Sequence, residues 1–249
     1  MTQPQPPRLY HDLAHLWPVI SPPEQYASEA DAVRRILEAH GLPPGRGAAV
    51  IEFGAGGGHT LYHLKHDYDA VASDLSEQML THCRDLNPEV QTVVGDMRTL
   101  RLDRRFDAVL IHDAIDYMTS ESDVQAALET AWVHLKPGGV AVIAPTYVRE
   151  KFVEHETASD HVETEDLALT YFSYVHDPDE LDDTFELVLV YLLRAAVGGE
   201  LRIETDRHTC GLFAADQWLA WLQDAGFEAE HREDENASWT LFVARRPKE

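Results

Sequence analysis

Val50-Ile51-Glu52-Phe53-Gly54-Ala55-Gly56-Gly57-Gly58-His59-Thr60 is the stretch that decides the fold. Ala48 to Phe53 has strand character, and the glycines at 54, 56 and 58 carry it through a turn into a helix. Glycine adopts backbone angles closed to other residues and lets a ligand approach the main chain closely. The N–H groups at the start of the following helix suit an anionic or hydroxyl-bearing ligand. Further on, Tyr68 to Ser73 reads as a second strand ending at Asp74. An acid at that place accepts hydrogen bonds from both hydroxyls of a ribose. The glycines do not follow the dinucleotide pattern, because G-x-G-x-x-G requires glycine where His59 stands.

With Glu52 in front, the pattern is instead acid-x-G-x-G-x-G, which resembles motif I of the class I S-adenosylmethionine-dependent methyltransferases. Later stretches agree with that family in order. Asp74-Leu75-Ser76-Glu77-Gln78-Met79-Leu80 resembles the step after its second strand, and Gly95-Asp96-Met97 the place of an acid against the adenine amino group. Phe106 to His112 resembles its fourth strand, and Leu135-Lys136-Pro137-Gly138-Gly139 the turn before its fifth. The resemblance implies S-adenosylmethionine as cofactor, with contacts from Tyr26, Glu52, Gly54, Ala55, Gly56, Asp74, Leu75, Met79, Asp96, Met97 and His112.

The expected fold is α/β: a Rossmann-like seven-stranded class I methyltransferase sheet with an N-terminal helical cap and an inserted antiparallel β subdomain. The cap is expected at 1–46, the cofactor-binding core at 47–148, the insertion at 149–208 and the rest of the core at 209–249. In the cap, Leu9 to Leu16 reads as a short helix stopped before Pro18. Ser21-Pro22-Pro23-Glu24 reads as a helix start, with serine as cap and proline in the first turn. Strands near 48–53, 69–73, 91–94, 106–112 and 138–145 alternate with helices near 59–66, 76–86 and 122–135, the mark of a parallel sheet. The acid-rich residues 149–166 read as an exposed, mobile segment. Strands are expected at Leu167 to Val175, Thr184 to Ala195 and Glu200 to Thr205, the last two joined by a turn at Val197-Gly198-Gly199. Cys210 is read as lying in a loop. A helix from Ala214 to Ala225 and strands at Glu228 to Glu233 and Trp239 to Ala244 close the chain.

Forty-four acids against 20 Lys and Arg give a net charge of −24. Such a surface repels phosphate backbones and anionic lipid, so no nucleic-acid or membrane partner is expected. With only Cys83 and Cys210, no disulfide framework is indicated. No signal peptide or apolar run of spanning length is visible, and the expected location is cytoplasmic. No histidine or cysteine spacing suits a metal, and no G-x-S-x-G elbow supports a Ser-His-Asp hydrolase.

Within the methyltransferases the layout most resembles the small-molecule N-methyltransferases of amino sugars. It is carried by Tyr10 and Tyr26 in the cap, Asn87-Pro88-Glu89 before Gly95, and Asp206-x-His208 before Leu212-Phe213. In that subgroup a tyrosine of the N-terminal segment and a histidine after the fourth strand face the acceptor. Tyr10 matches the first; at the second this chain carries Tyr117. Tyr10, Tyr117 and His208 are the catalytic candidates, with His112 a further possible base. A neutral imidazole is the better proton acceptor near pH 7, while a tyrosine can orient an amine and leave its proton to water. The expected activity is methyl transfer to a small-molecule acceptor, on nitrogen or oxygen, with a homodimer possible. The alternative is a non-catalytic S-adenosylmethionine- or S-adenosylhomocysteine-binding protein. An aminopropyltransferase and a nicotinamide oxidoreductase fit the motifs less well.

Overall fold

The computed structural model describes residues 7–45, 47–195, 198–233 and 240–248. A cap opens the chain: 3-10 turns at Arg8–Tyr10 and Ala14–Leu16, helix α1 (Trp17–Ile20), a turn at Pro23–Tyr26 and helix α2 (Ala27–Ala39). Then come β1 (Ala49–Phe53), α3 (His59–Leu64), β2 (Asp69–Asp74), α4 (Glu77–Leu86) and β3 (Gln91–Val94). They are followed by β4 (Phe106–His112), α5 (Glu121–His134) and β5 (Leu135–Ala144). Four more strands, β6 (Thr157–Glu163), β7 (Leu167–His176), β8 (Thr184–Ala195) and β9 (Arg202–Gly211), precede α6 (Ala215–Asp224), β10 (Glu228–Glu233) and β11 (Thr240–Arg245).

The main sheet runs β10-β11-β5-β4-β1-β2-β3. Its five strands β1 to β5 are parallel, while β11 pairs antiparallel with β5 and with β10. A parallel sheet is covered on both faces, so its strands are apolar at successive positions rather than alternate ones. In β4, Val109 and Ile111 pack toward α5 and α6, while Ala108 and Leu110 pack toward α2. Ala30, Val33 and Leu37 form the buried stripe of α2 at the spacing of one helix face. Ser76 and Ser120 start α4 and α5 by accepting the N–H of Met79 and Asp123; each such cap contributes about 1 kcal/mol. Strand order reverses at β1, which has β2 on one side and β4 on the other. The carboxyl ends of strands at such a point open the crevice where ligands bind.

The second sheet, β6-β7-β8-β9, is antiparallel throughout. Its inner face, with Leu169, Leu189, Tyr191 and Leu193, buries Leu9, Leu13 and Leu16 of the cap. The cap is thereby fixed over the crevice.

Several expectations are corrected. Pro18 does not stop a helix; it sits in the first turn of α1, where its missing N–H has no partner to lose. The expected helix start at Ser21 is a 3-10 turn, and the Ser21 hydroxyl bonds Tyr26 Oη at 2.6 Å instead of capping. Within 149–166 lies β6, hydrogen-bonded to β7 across seven residue pairs rather than mobile. β5 begins at Leu135, taking in the glycine turn expected before it. β9 reaches Gly211, so His208 and Cys210 stand on a strand and the sheet extends past residue 208. Val197 of the expected hairpin turn and Trp239 lie outside the described residues. Among the described residues no helix is long and apolar enough to cross a membrane, and no group of His, Cys, Asp or Glu is disposed to hold a metal.

Candidate active site

A cavity of about 300 Å³ opens at the carboxyl ends of β1, β2 and β4. That volume falls at the lower end of the range for small-molecule sites. The glycine turn forms its floor, and the cap residues Tyr10, Trp17 and Tyr26 form its roof. Trp17 stacks on His59 at 5.8 Å between ring centroids, and Tyr26 meets the same imidazole edge-on at 5.2 Å. The Ser76 hydroxyl donates to the carbonyl of Tyr10 at 2.6 Å, tying the roof to the loop after β2.

Within the turn itself, three N–H groups bond to neighbouring protein atoms. Ala55 N–H donates to the Ser73 carbonyl, Gly56 N–H to Asp74 Oδ2 at 2.8 Å, and Gly58 N–H to the Ala55 carbonyl. Its contribution is shape and a fixed carboxylate. Asp74 also accepts from Ser76 N–H at 2.7 Å through Oδ1, so both oxygens are steered while each keeps a lone pair. Burial raises the Asp74 carboxyl above its ordinary value, and these N–H donors hold it back. Glu52, 3% exposed, is pushed up to about 8 by burial, against a hydrogen bond from Thr60 and aided by the charges of Glu29, Asp74 and Asp113. Asp96 is held below the usual carboxylate range by Arg98, which grips it and Asp123 together.

Three buried side-chain atoms without a hydrogen-bond partner, Trp17 Nε1, Glu52 Oε2 and His59 Nδ1, belong to residues lining this cavity. The acids, the aromatic roof and the apolar Leu75 and Met97 suit a ligand with a cationic end, hydroxyls and a flat base. S-adenosylmethionine has all three.

At the other end Tyr10 and Tyr117 meet. Their hydroxyls share a hydrogen bond of 2.8 Å. Tyr117 Oη lies 2.7 Å from His208 Nδ1, and His208 Nε2 lies 2.9 Å from Asp206 Oδ2. Asp206 in turn accepts the backbone N–H of Arg8 at 3.0 Å and of Leu9 at 2.7 Å. Burial works against its charge, yet the His208 and backbone donors hold the Asp206 carboxyl below its ordinary value. Burial raises both tyrosines, Tyr117 well above the ordinary phenol value.

The cavity therefore brings together Tyr10, Tyr26, Glu52, Gly54, Ala55, Gly56, Asp74, Leu75, Asp96, Met97, His112 and Tyr117. Met79 is a correction: it lies behind the floor, its Cε set against Gly56. His208 does not line the cavity but stands directly behind Tyr117. His112 lies between Glu29 and Asp113. The sequence reading gave no role to Trp17, His59 or Asp206. Only Asp206 carried a signal, its place in Asp206-x-His208.

A methyltransferase domain model matches residues 50–139. The chain is 29% identical over 222 residues to the dTDP-3-amino-3,4,6-trideoxy-α-D-glucopyranose N,N-dimethyltransferase of Streptomyces venezuelae, covering 88% of this chain and 91% of that one. The sugar N-methyltransferase KedS8 from Streptoalloteichus superposes with a TM-score of 0.82 at 27% identity, over 100% of this chain and 96% of that one. CalS10, an amino pentose methyltransferase from Micromonospora echinaspora solved with S-adenosylmethionine bound, gives 0.77 at 26%, over 89% and 91%.

Proposed function

The chain is an S-adenosylmethionine-dependent methyltransferase of the class I fold, acting on a small molecule, and from that premise we propose that its acceptor is the amine of a nucleotide-linked amino sugar. The observation that carries this reading is the hydroxyl pair Tyr10–Tyr117, placed at the end of the same cavity that gathers Glu52, Asp74 and Asp96. The relatives named above favour methyl transfer over the non-catalytic binder.

When bound, S-adenosylmethionine supplies a methyl group on a cationic sulfur that is already a good electrophile. The protein's task is to line up the acceptor and take its proton. Asp74 would hold the ribose hydroxyls, Asp96 the adenine amine, and Glu52 the ammonium end. Gly54, Ala55 and Gly56 shape the floor, Met79 supports it from behind, and Tyr26, Leu75, Met97 and His112 complete the walls. Trp17 and Tyr10, carried by the cap, exclude water from above. Tyr10 and Tyr117 would face the amine.

Incubation with S-adenosylmethionine and dTDP-3-amino-3,4,6-trideoxy-α-D-glucopyranose tests the proposal. Mass spectrometry should find one and then two added methyl groups, and none when the amine is acetylated beforehand. If S-adenosylhomocysteine binds yet no amino sugar nucleotide is methylated, the acceptor class is wrong.

The pairing of Glu52 with an ammonium has a pH signature. Its carboxyl in the free protein lies near 8, raised from an ordinary 4.5, so it holds its proton through most of the range between those values. A cation that needs the carboxylate binds more tightly as pH rises toward 8. Affinity for S-adenosylhomocysteine should grow about fivefold from pH 7 to pH 8, following the ionised fraction. Calorimetry on Glu52→Gln beside the wild type subtracts the ligand's own titration; parallel curves would remove Glu52 from this role.

A further inference from the structure

We propose that Asp206 sets the direction of a hydrogen-bond chain running from the acceptor amine through Tyr10 and Tyr117 to His208, and that His208 Nδ1 is where the amine's proton comes to rest. The inference rests on the amine-methylating reading above, but part of its test does not need turnover.

The argument starts from Asp206. An ionised carboxylate only accepts hydrogen bonds. Asp206, 5% exposed, accepts from three backbone N–H groups, those of Arg8, Leu9 and Arg207, and faces His208 Nε2 at 2.9 Å. Nε2 must therefore carry a hydrogen, and in the neutral ring Nδ1 is left as an acceptor. Tyr117 Oη, 2.7 Å from Nδ1, must then donate to it. Having spent its hydrogen, Tyr117 can only accept from Tyr10 Oη at 2.8 Å. Tyr10 in turn meets the cavity with lone pairs rather than a hydrogen. Every donor in the chain points away from the acceptor and toward Asp206.

That polarity suits an amine nucleophile. Its lone pair forms the new N–C bond as the C–S bond breaks and the electron pair stays on sulfur. The nitrogen then carries a proton to lose. It passes to Tyr10, Tyr10's own proton to Tyr117, and Tyr117's to His208 Nδ1. The product is an imidazolium beside Asp206, with charge and atoms balanced. Burial holds both phenols above their ordinary values, which disfavours a free phenolate, so each tyrosine gives up its own proton only as it receives the next and the transfers are coupled. The arrangement follows the logic by which a buried aspartate fixes the tautomer of a catalytic histidine, here with tyrosines between histidine and substrate. Asp206 touches no substrate and is a positioning residue. It also anchors Arg8 and Leu9, so the segment bearing Tyr10 docks on the same carboxylate that orients His208.

Nitrogen-15 spectra of the histidine side chains, read at pH 7.5 with S-adenosylhomocysteine present, test the direction. His208 should be the Nε2–H tautomer, identified by its loss in His208→Gln. An Nδ1–H tautomer would reverse the chain and overturn the proposal. Two variants then separate orientation from proton acceptance, with dTDP-3-amino-3,4,6-trideoxy-α-D-glucopyranose as acceptor. Asp206→Asn should disturb the tautomer and lower kcat on the order of 100-fold, with acceptor KM and S-adenosylhomocysteine affinity within about threefold. His208→Gln keeps a donor toward Asp206 and an acceptor toward Tyr117 but cannot take the proton; it should fall in kcat by a similar factor. Wild-type turnover in His208→Gln would overturn proton acceptance by His208. If Asp206→Asn fails to fold, His208→Gln and the wild-type spectrum still decide. Should the wild type methylate no amino sugar nucleotide, the acceptor reading fails, while the tautomer still tests the chain's direction.

Discussion

Asp74→Ala is expected to weaken S-adenosylhomocysteine binding about 1000-fold, roughly 4 kcal/mol, in a protein that still folds but with lowered stability. Two hydroxyls bonded to one carboxylate each contribute about 1.5–3 kcal/mol. The substitution also strips Gly56 and Ser76 of the acceptor for their N–H groups, so the floor of the cavity loses its fixed shape as well. Asp74→Asn retains one acceptor oxygen and should lose less, about 30-fold. Calorimetric titration of the three proteins measures both effects, and thermal melting checks that the variants are folded. A loss below about tenfold in the alanine variant would mean that the cofactor is not held at the end of β2. Acidification should mimic the substitution in part. Burial already raises the Asp74 carboxyl, and hydroxyl donors favour its ionised form, so affinity falls as that group takes a proton.

The parallel core was legible because each of its junctions is set by local chemistry. Gly54, Gly56 and Gly58 announce the turn after β1, and the helix read from residue 76 begins where the Ser76 hydroxyl caps α4 by accepting the Met79 N–H. Two features escaped for opposite reasons. β6 is an edge strand almost wholly exposed, with acids on both faces; charge is how a sheet edge is kept from pairing with other chains, and in sequence it looks like a loop. The second half of β9 was missed because its inward positions, Asp206 and His208, are polar. They break the alternation of apolar and polar residues that marks a half-buried strand. The same residues make the site. Tyr117 and His208 are 91 positions apart, so no local pattern could join them, and the pairing of a tyrosine with a remote histidine had to come from the topology.

Gly54→Ala is expected to destabilise the fold by about 3 kcal/mol or more, and Gly41→Ala by only about 1 kcal/mol. Both glycines have left-handed backbone angles, φ +70° and +83°, which penalise any side chain to a similar degree. They differ in what a methyl group would meet. At Gly41, just past the end of α2, nothing lies within 4 Å. At Gly54 the added carbon would sit 2.1 Å from Ala114 Cβ and 3.1 Å from Met97 Cε. Met97 can swing aside, but Ala114 has no rotamer to change, so the backbone of the turn after β4 must move. That turn begins at Asp113, already held at φ +47°, and carries Tyr117 three residues beyond Ala114. The clash therefore reaches both ends of the cavity. Urea unfolding at fixed pH compares the two variants, and S-adenosylhomocysteine titration reads the cavity directly, where Gly41→Ala should match the wild type and Gly54→Ala should bind at least about tenfold more weakly. Equal losses of stability would show that the 113–118 turn yields freely, and that close packing against β1 does not fix the position of Tyr117.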